Sequence, residues 1–88
     1  MFYVYILISE LDKKFYTGYT SDLKQRMVFH NNGECASTKN RRPLRLIYYE
    51  ACLNKKDAMK REKYLKSSWG KRYTKNRLKE CLSNGVIR

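Results

Sequence analysis

The sequence predicts an α+β fold in which about three helices flank a small three-stranded, mainly antiparallel sheet. Three segments rich in β-branched and aromatic residues predict the strands. Capping residues followed by helical spacing predict the helices. The chain has 88 residues, of which 42% are hydrophobic, which is enough for one core. We therefore expect residues 1–88 to form a single domain.

The first two strands are predicted to form a hairpin. Residues 2–8, FYVYILI, have the composition of a buried strand. The polar stretch 9–13 is too short for a crossover, so residues 14–19 should return antiparallel to the first strand. Gly18, near the end of this return strand, indicates a bend or a close approach of another group to the backbone.

A helix and the third strand follow the hairpin. Thr20 or Ser21 is the predicted N-cap of this helix, and Asn32-Gly33 is its predicted stop. Residues 33–43 are predicted to be a loop, and residues 44–52 the third strand. One face of the helix carries Leu23, Arg26, Met27 and His30.

Two more helices are predicted at the C-terminal end. Asn54 should cap a helix of about residues 55–68. Gly70 is expected to break the pattern before a last helix of about residues 71–83, which Asn84-Gly85 should end. An apolar stripe on the first of these helices is predicted to include Ala58, Leu65 and Trp69, with Glu62 on the same stripe.

The chain is strongly basic, with 20 Lys and Arg against 8 Asp and Glu and a formal net charge of +12. This charge indicates an anionic partner, most commonly nucleic acid, with an anionic membrane surface as the other candidate. Residues 54–88 hold twelve basic and three acidic residues. The anion-binding surface should therefore come from the last two helices and the segment 39–45. Its candidate residues are Lys39, Arg41, Arg42, Lys60, Lys63, Lys71, Arg72 and Lys75.

Several classes of protein do not fit this sequence. The longest apolar run, residues 2–8, is far shorter than the ~20 residues of a membrane span. No basic segment precedes this run, so we expect no signal peptide. The three cysteines are widely spaced, unlike a disulfide framework or a zinc ribbon, and a reducing, cytoplasmic setting fits best. The single histidine, His30, excludes a multi-histidine metal site.

Three features are unexpected for a simple core. Glu62 falls on an apolar stripe, where a carboxylate is costly unless it pairs with a cation or binds a metal. Arg26 lies on the inward face of its helix, where it either binds a ligand or extends its charged end to water. Tyr3, Tyr5 and Tyr16 cluster on the predicted hairpin, either for packing or to surround a phosphate.

These features occur in an order that resembles the GIY-YIG nuclease domain. Tyr3-Val4-Tyr5 and Tyr16-Thr17-Gly18 match the two name-giving motifs, and Arg26 and Glu62 follow at similar spacing. The resemblance spans nearly the whole chain. It is closest to small stand-alone bacterial members related to the nuclease domain of the repair subunit UvrC. The first motif has Tyr3 and Val4 in place of Gly and Ile, and the second has Thr17 in place of Ile. These replacements are compatible with strands.

The resemblance implies a role for each matching residue. Tyr5 and Tyr16 would line the active site, one of them as general base for the attacking water. Arg26 would hold the scissile phosphate, and His30 matches a position one helical turn later that is often histidine. Glu62 would bind one divalent metal ion, Mg²⁺ or Mn²⁺.

The chemistry of this residue set suits phosphodiester hydrolysis. The planar fork of arginine matches two phosphate oxygens, and Mg²⁺ requires few protein ligands. A free tyrosine has a pKa of ~10, which we expect nearby cations to lower. Gly18 completes the second motif. Asn76 is the candidate for a late polar position of the family, with a solvated helix residue as the alternative.

The sequence therefore predicts a metal-dependent endonuclease that hydrolyses DNA phosphodiester bonds, with branched or damaged structures of repair or recombination as candidate substrates. The alternative is a non-catalytic nucleic-acid-binding module of the same fold. A third class, a basic protein bound to ribosomal RNA or membrane, uses the C-terminal charge but gives no reason for Glu62 on an apolar stripe.

Overall fold

Three antiparallel strands form one sheet, as the sequence predicts. A computed structural model of the chain describes residues 1–83. Strand β1 (Phe2–Ser9) lies in the centre, with β2 (Phe15–Thr20) on one side and β3 (Leu44–Cys52) on the other. Both neighbours pair antiparallel with β1. β2 is therefore an edge strand, and its outer side is available for a site.

Helices cover both faces of the sheet, and the sheet separates the core into two clusters. On one face, Val4 and Ile6 pack with Ala58 and Leu65 of the helix Lys55–Lys66. On the other face, Tyr5, Leu7 and Leu44 form a buried cluster, against which Leu23 and Met27 pack. This arrangement follows from the alternation of side chains along β1, which is almost fully buried on both sides.

Helix α1 (Leu23–Asn31) begins later than predicted. Its N-cap is Asp22, whose carboxylate accepts a hydrogen bond from the backbone N–H of Gln25 at 3.0 Å. The predicted caps are wrong because the Thr20 hydroxyl bonds instead to the backbone of Asp22. The predicted end is confirmed, with Asn32 as C-cap and Gly33 at φ 76°, a left-handed conformation that favours glycine.

Helices α2 (Lys55–Lys66), α3 (Ser68–Arg77) and α4 (Lys79–Ser83) follow β3. The Asn54 cap is confirmed, since its side chain accepts a hydrogen bond from Lys56 N–H at 2.8 Å. The single predicted last helix is wrong, because the chain forms α3 and α4 in its place. The predicted stop at Asn84-Gly85 lies outside the described residues. Within residues 1–83, no helix has the length and apolar character to cross a membrane.

The junction between α2 and α3 overturns two predictions. Ser67 is extended and caps α3 through its hydroxyl, so the apolar stripe of α2 does not continue past Lys66. Trp69 is consequently 67% exposed instead of buried. Gly70 lies inside α3 and does not break it. A Cβ at this position would collide with the backbone of Tyr64 and Leu65, so glycine lets the two helices approach closely.

A polar network joins α2 and α3 to β3. The Arg61 guanidinium donates two hydrogen bonds of 2.9 Å to the Glu50 carboxylate, and the Tyr48 hydroxyl donates a third. Arg61 also lies over the ring of Tyr73 on α3, 4.9 Å from its centroid. This anchor fixes the rotation of α2 about its axis, and so the direction of the neighbouring Glu62.

The segment 33–43 is ordered by contacts with the hairpin. A short 3₁₀ helix (Lys39–Arg41) lies within it. The Ser9 hydroxyl donates to the Arg41 carbonyl at 2.6 Å, and the Arg41 side chain pairs with Asp12 at 2.8 Å. Thr38 is fully buried in this segment, which the sequence predicts only as a loop.

Candidate active site

A cavity of about 420 Å³ lies along the outer edge of β2. Side chains reach it from three elements besides β2: the central strand, α1 and α2. Five predicted site residues line it together: Tyr5, Tyr16, Gly18, Arg26 and Glu62. Lys55, at the start of α2, adds a second cation that the sequence analysis did not single out.

The edge position of β2 explains how residues from opposite faces of the sheet meet. Tyr5 belongs to the cluster on the α1 face, whereas α2 packs on the other face. A central strand would separate the two sides. At the edge, Arg26 of α1 and Glu62 of α2 both reach the same cavity.

Gly18 makes room for Tyr5. The two residues are paired across the hairpin, and a Cβ on Gly18 would lie 2.5 Å from the Tyr5 hydroxyl oxygen and 2.7 Å from Cζ. The absence of a side chain lets the Tyr5 ring extend across β2 toward the cavity. The predicted close approach at Gly18 is thus explained by a phenol ring.

We expect Gly18→Ala to displace the Tyr5 hydroxyl and to lower cleavage strongly while leaving most of the fold intact. The ring cannot move freely, because Tyr5 is 2% exposed and hydrogen-bonded to His30. Overpacking of this kind typically costs ~1–3 kcal/mol of stability. Thermal unfolding and cleavage by the same preparation would separate the two effects. Wild-type cleavage by Gly18→Ala would show that the position of Tyr5 is unimportant.

His30 lies behind the cavity wall. It is 0% exposed, and its Nε2 is 2.8 Å from the Tyr5 hydroxyl. Its Nδ1 is 2.9 Å from the hydroxyl of Thr38, which is also fully buried. His30 is therefore a partner of Tyr5 and does not line the cavity. Thr38 was missed because no periodic pattern marks a buried residue in a loop.

The prediction that nearby cations lower the pKa of the active-site tyrosines is wrong. Burial raises the pKa of Tyr5 far above its ordinary value, and Tyr16 raises it further, while Arg26 lowers it too little to compensate. Burial likewise raises the pKa of Tyr16, and the neighbouring Cys35 thiol raises it further. Burial, aided by Arg26, lowers the pKa of His30 and favours a neutral imidazole. Both tyrosine hydroxyls therefore keep their protons before the reaction and can donate hydrogen bonds.

Glu62 and Arg26 provide the charges of the site. The Glu62 side chain is 21% exposed and pairs with Lys66 one turn later at 3.4 Å, so the predicted salt bridge and the cavity position are both present. Mg²⁺ keeps several water ligands, and one carboxylate in a water-accessible cavity fits its chemistry. Among residues 1–83 no cluster of three or more His, Cys, Asp or Glu side chains offers a denser metal site. Arg26 packs over Phe29, 5.0 Å from the ring centroid.

The predicted nucleic-acid-binding residues fall into separate groups. A second cavity of about 480 Å³ lies beside Phe15, the first residue of β2, and Asp12 is part of its lining. Its cations are Lys13, Lys14, Arg41, Lys71 and Lys75; we call this set the hairpin groove. The hairpin pair Lys13-Lys14 is visible in the sequence, but only the fold shows that it meets α3.

The other predicted basic residues lie outside the groove. Lys60 and Lys63 line a shallow surface beside Glu62 on α2. Arg72 stacks on the exposed Trp69 at 5.1 Å, and Arg42 donates to the Lys39 carbonyl. Lys39 is exposed on the 3₁₀ helix. Asn76 is exposed on α3 and is not among the cavity-lining residues, in agreement with the solvated alternative.

The chain is similar over most of its length to one protein family and to several bacterial proteins. The GIY-YIG catalytic domain family matches residues 1–78. The UPF0213 protein in the ldhD 5′ region of Pediococcus acidilactici is 44% identical over 89 residues, which cover 98% of this chain and 86% of that protein. A UPF0213 protein of Clostridium perfringens is 39% identical over 89 residues, covering 100% and 89% of the two chains.

A third relative matches a shorter stretch. A UPF0213 protein of Staphylococcus saprophyticus is 44% identical over 66 residues, 74% of this chain and 79% of that protein. No solved structure matches the chain. The family match covers the strands and helices that build the cavity, and so this chain belongs to the GIY-YIG nuclease family, with UPF0213 proteins among its relatives.

Proposed function

We propose that this protein is a metal-dependent endonuclease that hydrolyses DNA phosphodiester bonds. The observation that carries the proposal is the convergence of Tyr5, Tyr16, Arg26 and Glu62 on one open cavity. Neither a core nor a simple binding surface requires a carboxylate, an arginine and two phenols in one cavity. Membership in a nuclease family adds to this argument.

The cavity residues have complementary tasks in this proposal. The Arg26 guanidinium binds two oxygens of the scissile phosphate. Tyr5 and Tyr16 orient the attacking water, and Tyr5 can pass a proton to His30 behind it. Glu62 would hold Mg²⁺ or Mn²⁺, which when bound supplies Lewis-acid stabilisation of the leaving oxygen.

The distribution of positive charge supports DNA as the partner. The hairpin groove lies beside Phe15 at the start of β2, and the active-site cavity follows the same strand from Tyr16 to Thr20. A six-residue strand spans roughly 17–20 Å. A nucleic-acid backbone that follows the β2 edge could therefore place one phosphate on Arg26 and later phosphates in the groove.

Cleavage of a panel of DNAs tests the proposal. The panel contains duplex, single-stranded, flap and junction substrates, each with Mg²⁺, Mn²⁺ or chelator. We expect metal-dependent cleavage of at least one of them, and the flap and junction arms test the role in repair or recombination. Tight binding without cleavage of any substrate with either metal would favour the non-catalytic module. Binding of ribosomal RNA or anionic vesicles as tightly as DNA, without cleavage, would favour a basic protein that binds ribosomal RNA or membrane.

We expect DNA binding to weaken steeply with salt, and the hairpin groove to supply part of that dependence. On duplex DNA, log K falls against log[salt] by ~0.9 for each phosphate neutralised. The double variant Lys71→Ala/Lys75→Ala should therefore show a shallower slope than the intact protein.

A charge-matched variant provides the control. Lys24→Ala removes one charge from α1, away from the groove, and is compared with Lys71→Ala and with Lys75→Ala as single variants. Its slope should stay close to that of the intact protein, with affinity measured by fluorescence anisotropy over a series of salt concentrations. Slopes of the single groove variants and of Lys71→Ala/Lys75→Ala equal to that of Lys24→Ala would argue against a phosphate path through the groove.

A further inference from the structure

The hairpin groove collects positive charge from three separate parts of the chain. Its cations come from the β1–β2 hairpin, the 3₁₀ helix and α3: Lys13, Lys14, Arg41, Lys71 and Lys75. The two α3 lysines are four residues apart and therefore lie on the same side of that helix. Like charges around one cavity of about 480 Å³ repel each other, so a bound anion would stabilise this arrangement.

The carboxylate in the groove is already paired. Asp12 accepts hydrogen bonds from Arg41 Nε at 2.8 Å and from the backbone N–H of Lys14 at 2.9 Å. The bond from Arg41, followed by that from Lys14, lowers the pKa of Asp12 to about 2. Asp12 therefore balances the charge of Arg41, and the charge of the four lysines in the lining is in excess.

Arg41 is held in place within the groove. Besides its bond to Asp12, its Nη2 donates hydrogen bonds to the backbone carbonyls of Lys14 at 3.0 Å and Phe15 at 3.3 Å. Its own backbone carbonyl accepts a hydrogen bond from the Ser9 hydroxyl at 2.6 Å. A guanidinium that is already ordered binds an anion without a further loss of side-chain freedom.

Lys13 has an unusual backbone conformation, with φ at 62°. Its N–H donates to the Ser9 carbonyl at 2.9 Å, and the Ser9 N–H donates to the Lys14 carbonyl at 3.1 Å, so Lys13 closes the hairpin turn. Glycine or asparagine is the ordinary residue at such a left-handed position, because a Cβ is costly there. A lysine here lowers stability, which indicates that its side chain has a function.

We propose that the hairpin groove binds the terminal phosphate of a DNA strand that is cleaved in the active-site cavity, with Lys13 among the phosphate ligands. This inference rests on the proposed nuclease function. A terminal phosphate carries nearly two negative charges at pH 7, whereas each internal phosphodiester carries one. Four lysines around one cavity therefore favour a strand end over an internal phosphate.

The position of the groove limits the distance from the strand end to the cut. The groove lies beside Phe15, and the active-site cavity follows β2 from Tyr16 to Thr20. The two sites are therefore separated by no more than the length of this six-residue strand, roughly 17–20 Å. At ~3.4 Å per nucleotide along a duplex strand, the cut should fall within ~6 nucleotides of the phosphorylated end.

Oligonucleotide binding in the presence of chelator tests the groove apart from cleavage. Single strands of one sequence are compared that end in a phosphate, in a methyl ester of that phosphate or in a hydroxyl, at the 5′ or the 3′ end. We expect a phosphate at one of the two ends to tighten binding at least ~5-fold over both the ester and the hydroxyl. Equal affinity for the phosphate and its ester would overturn the proposal, because the ester has the charge of an internal phosphodiester.

Lys13→Gly separates phosphate binding from stability in one variant. Glycine relieves the left-handed backbone, so the melting temperature should not fall, whereas the preference for a phosphorylated end should be lost. Lys13→Arg keeps a cation and should keep the preference. Lys24→Ala, on α1 and away from the groove, is the matched control and should also keep it. An unchanged preference in Lys13→Gly would show that Lys13 is not a phosphate ligand.

The cleavage position provides a second test. On a substrate that the intact protein cleaves, the phosphorylated end is moved by adding or removing nucleotides. We expect the cut to follow the end and to stay within ~6 nucleotides of it. A cut that keeps its place in the sequence while the end moves would contradict recognition of the end.

A free phosphate is the other source of such an anion. Calorimetric titration with inorganic phosphate and with pyrophosphate tests this source directly. We expect both to bind more weakly than the phosphorylated strand, because neither also contacts Arg26 in the active-site cavity. Tighter binding of pyrophosphate than of the strand would overturn the assignment to a DNA end.

Cleavage and end recognition are decided by different measurements. If the intact protein cleaves no DNA, the nuclease function fails, while binding in chelator still decides whether the groove holds a terminal phosphate. If the protein cleaves DNA but neither its affinity nor its cut depends on the phosphorylated end, the groove assignment fails and the nuclease function stands.

Discussion

Glu62→Gln should abolish DNA cleavage while leaving folding and DNA binding nearly intact. The amide keeps the shape of the side chain but lacks the charge that a divalent metal requires. Loss of the Lys66 pair, an exposed i,i+4 contact, should cost only ~0.3–0.5 kcal/mol. Removing one negative charge from a phosphate-binding cavity should leave affinity unchanged or slightly higher. Cleavage should fall at least ~100-fold, because such charge stabilisation is worth several kcal/mol in the transition state.

Three measurements on the same proteins separate these effects: melting temperature, DNA affinity, and cleavage rate as a function of Mg²⁺ or Mn²⁺. Glu80→Gln is the matched control, since it makes the same chemical change on α4, away from the cavity. Cleavage by Glu62→Gln at the rate of the control would show that the metal assignment is wrong. Unfolding of Glu62→Gln alone would identify Glu62 as a structural ion-pair partner.

Arg26→Ala should abolish cleavage and also weaken DNA binding. The guanidinium is the charged group of α1 in the cavity, and its removal takes away a bidentate phosphate contact. It also removes the cation that lowers the Tyr5 pKa, so proton transfer from the phenol becomes harder still. Loss of its packing on Phe29 should cost only ~0.5–1 kcal/mol of stability. We expect cleavage to fall at least ~100-fold.

Arg26→Lys and Lys24→Ala make this prediction specific. Arg26→Lys keeps the charge but not the planar fork, so DNA affinity should recover more than cleavage does. Lys24→Ala removes one charge from the same helix outside the cavity and should leave cleavage unchanged. Single-turnover rates and equilibrium affinities on one substrate would measure both. If Arg26→Ala bound and cleaved like Lys24→Ala, the phosphate would lie elsewhere.

The secondary structure was largely predictable because the chain marks its elements locally. The β-branched and aromatic run of β1 and the strand at residues 44–52 match the structure closely. The predicted boundaries of helices are wrong where several neighbouring residues can serve as caps. At the start of α1, Thr20, Ser21 and Asp22 are all good caps, and contacts with the preceding turn decide among them.

The exposure of Trp69 shows what helical periodicity cannot provide. The stripe from Ala58 to Leu65 is correct, but its extension to Trp69 assumes one continuous helix. Ser67 interrupts that helix because its hydroxyl caps α3 and its backbone is extended. Extrapolating a 3.6-residue period across such a break assigns the next residue to the wrong side.

The sequence alone determined the family, the strands and the identity of the residues that meet in the cavity, because these depend on residue type and order along the chain. Tertiary structure alone decided that β2 is an edge strand, which lets Arg26 and Glu62 reach one cavity from opposite faces. It also decided that burial raises the pKa of Tyr5, and that Thr38 lies against His30. Burial and hydrogen bonding between distant residues are properties of packing, so no local pattern in the chain records them.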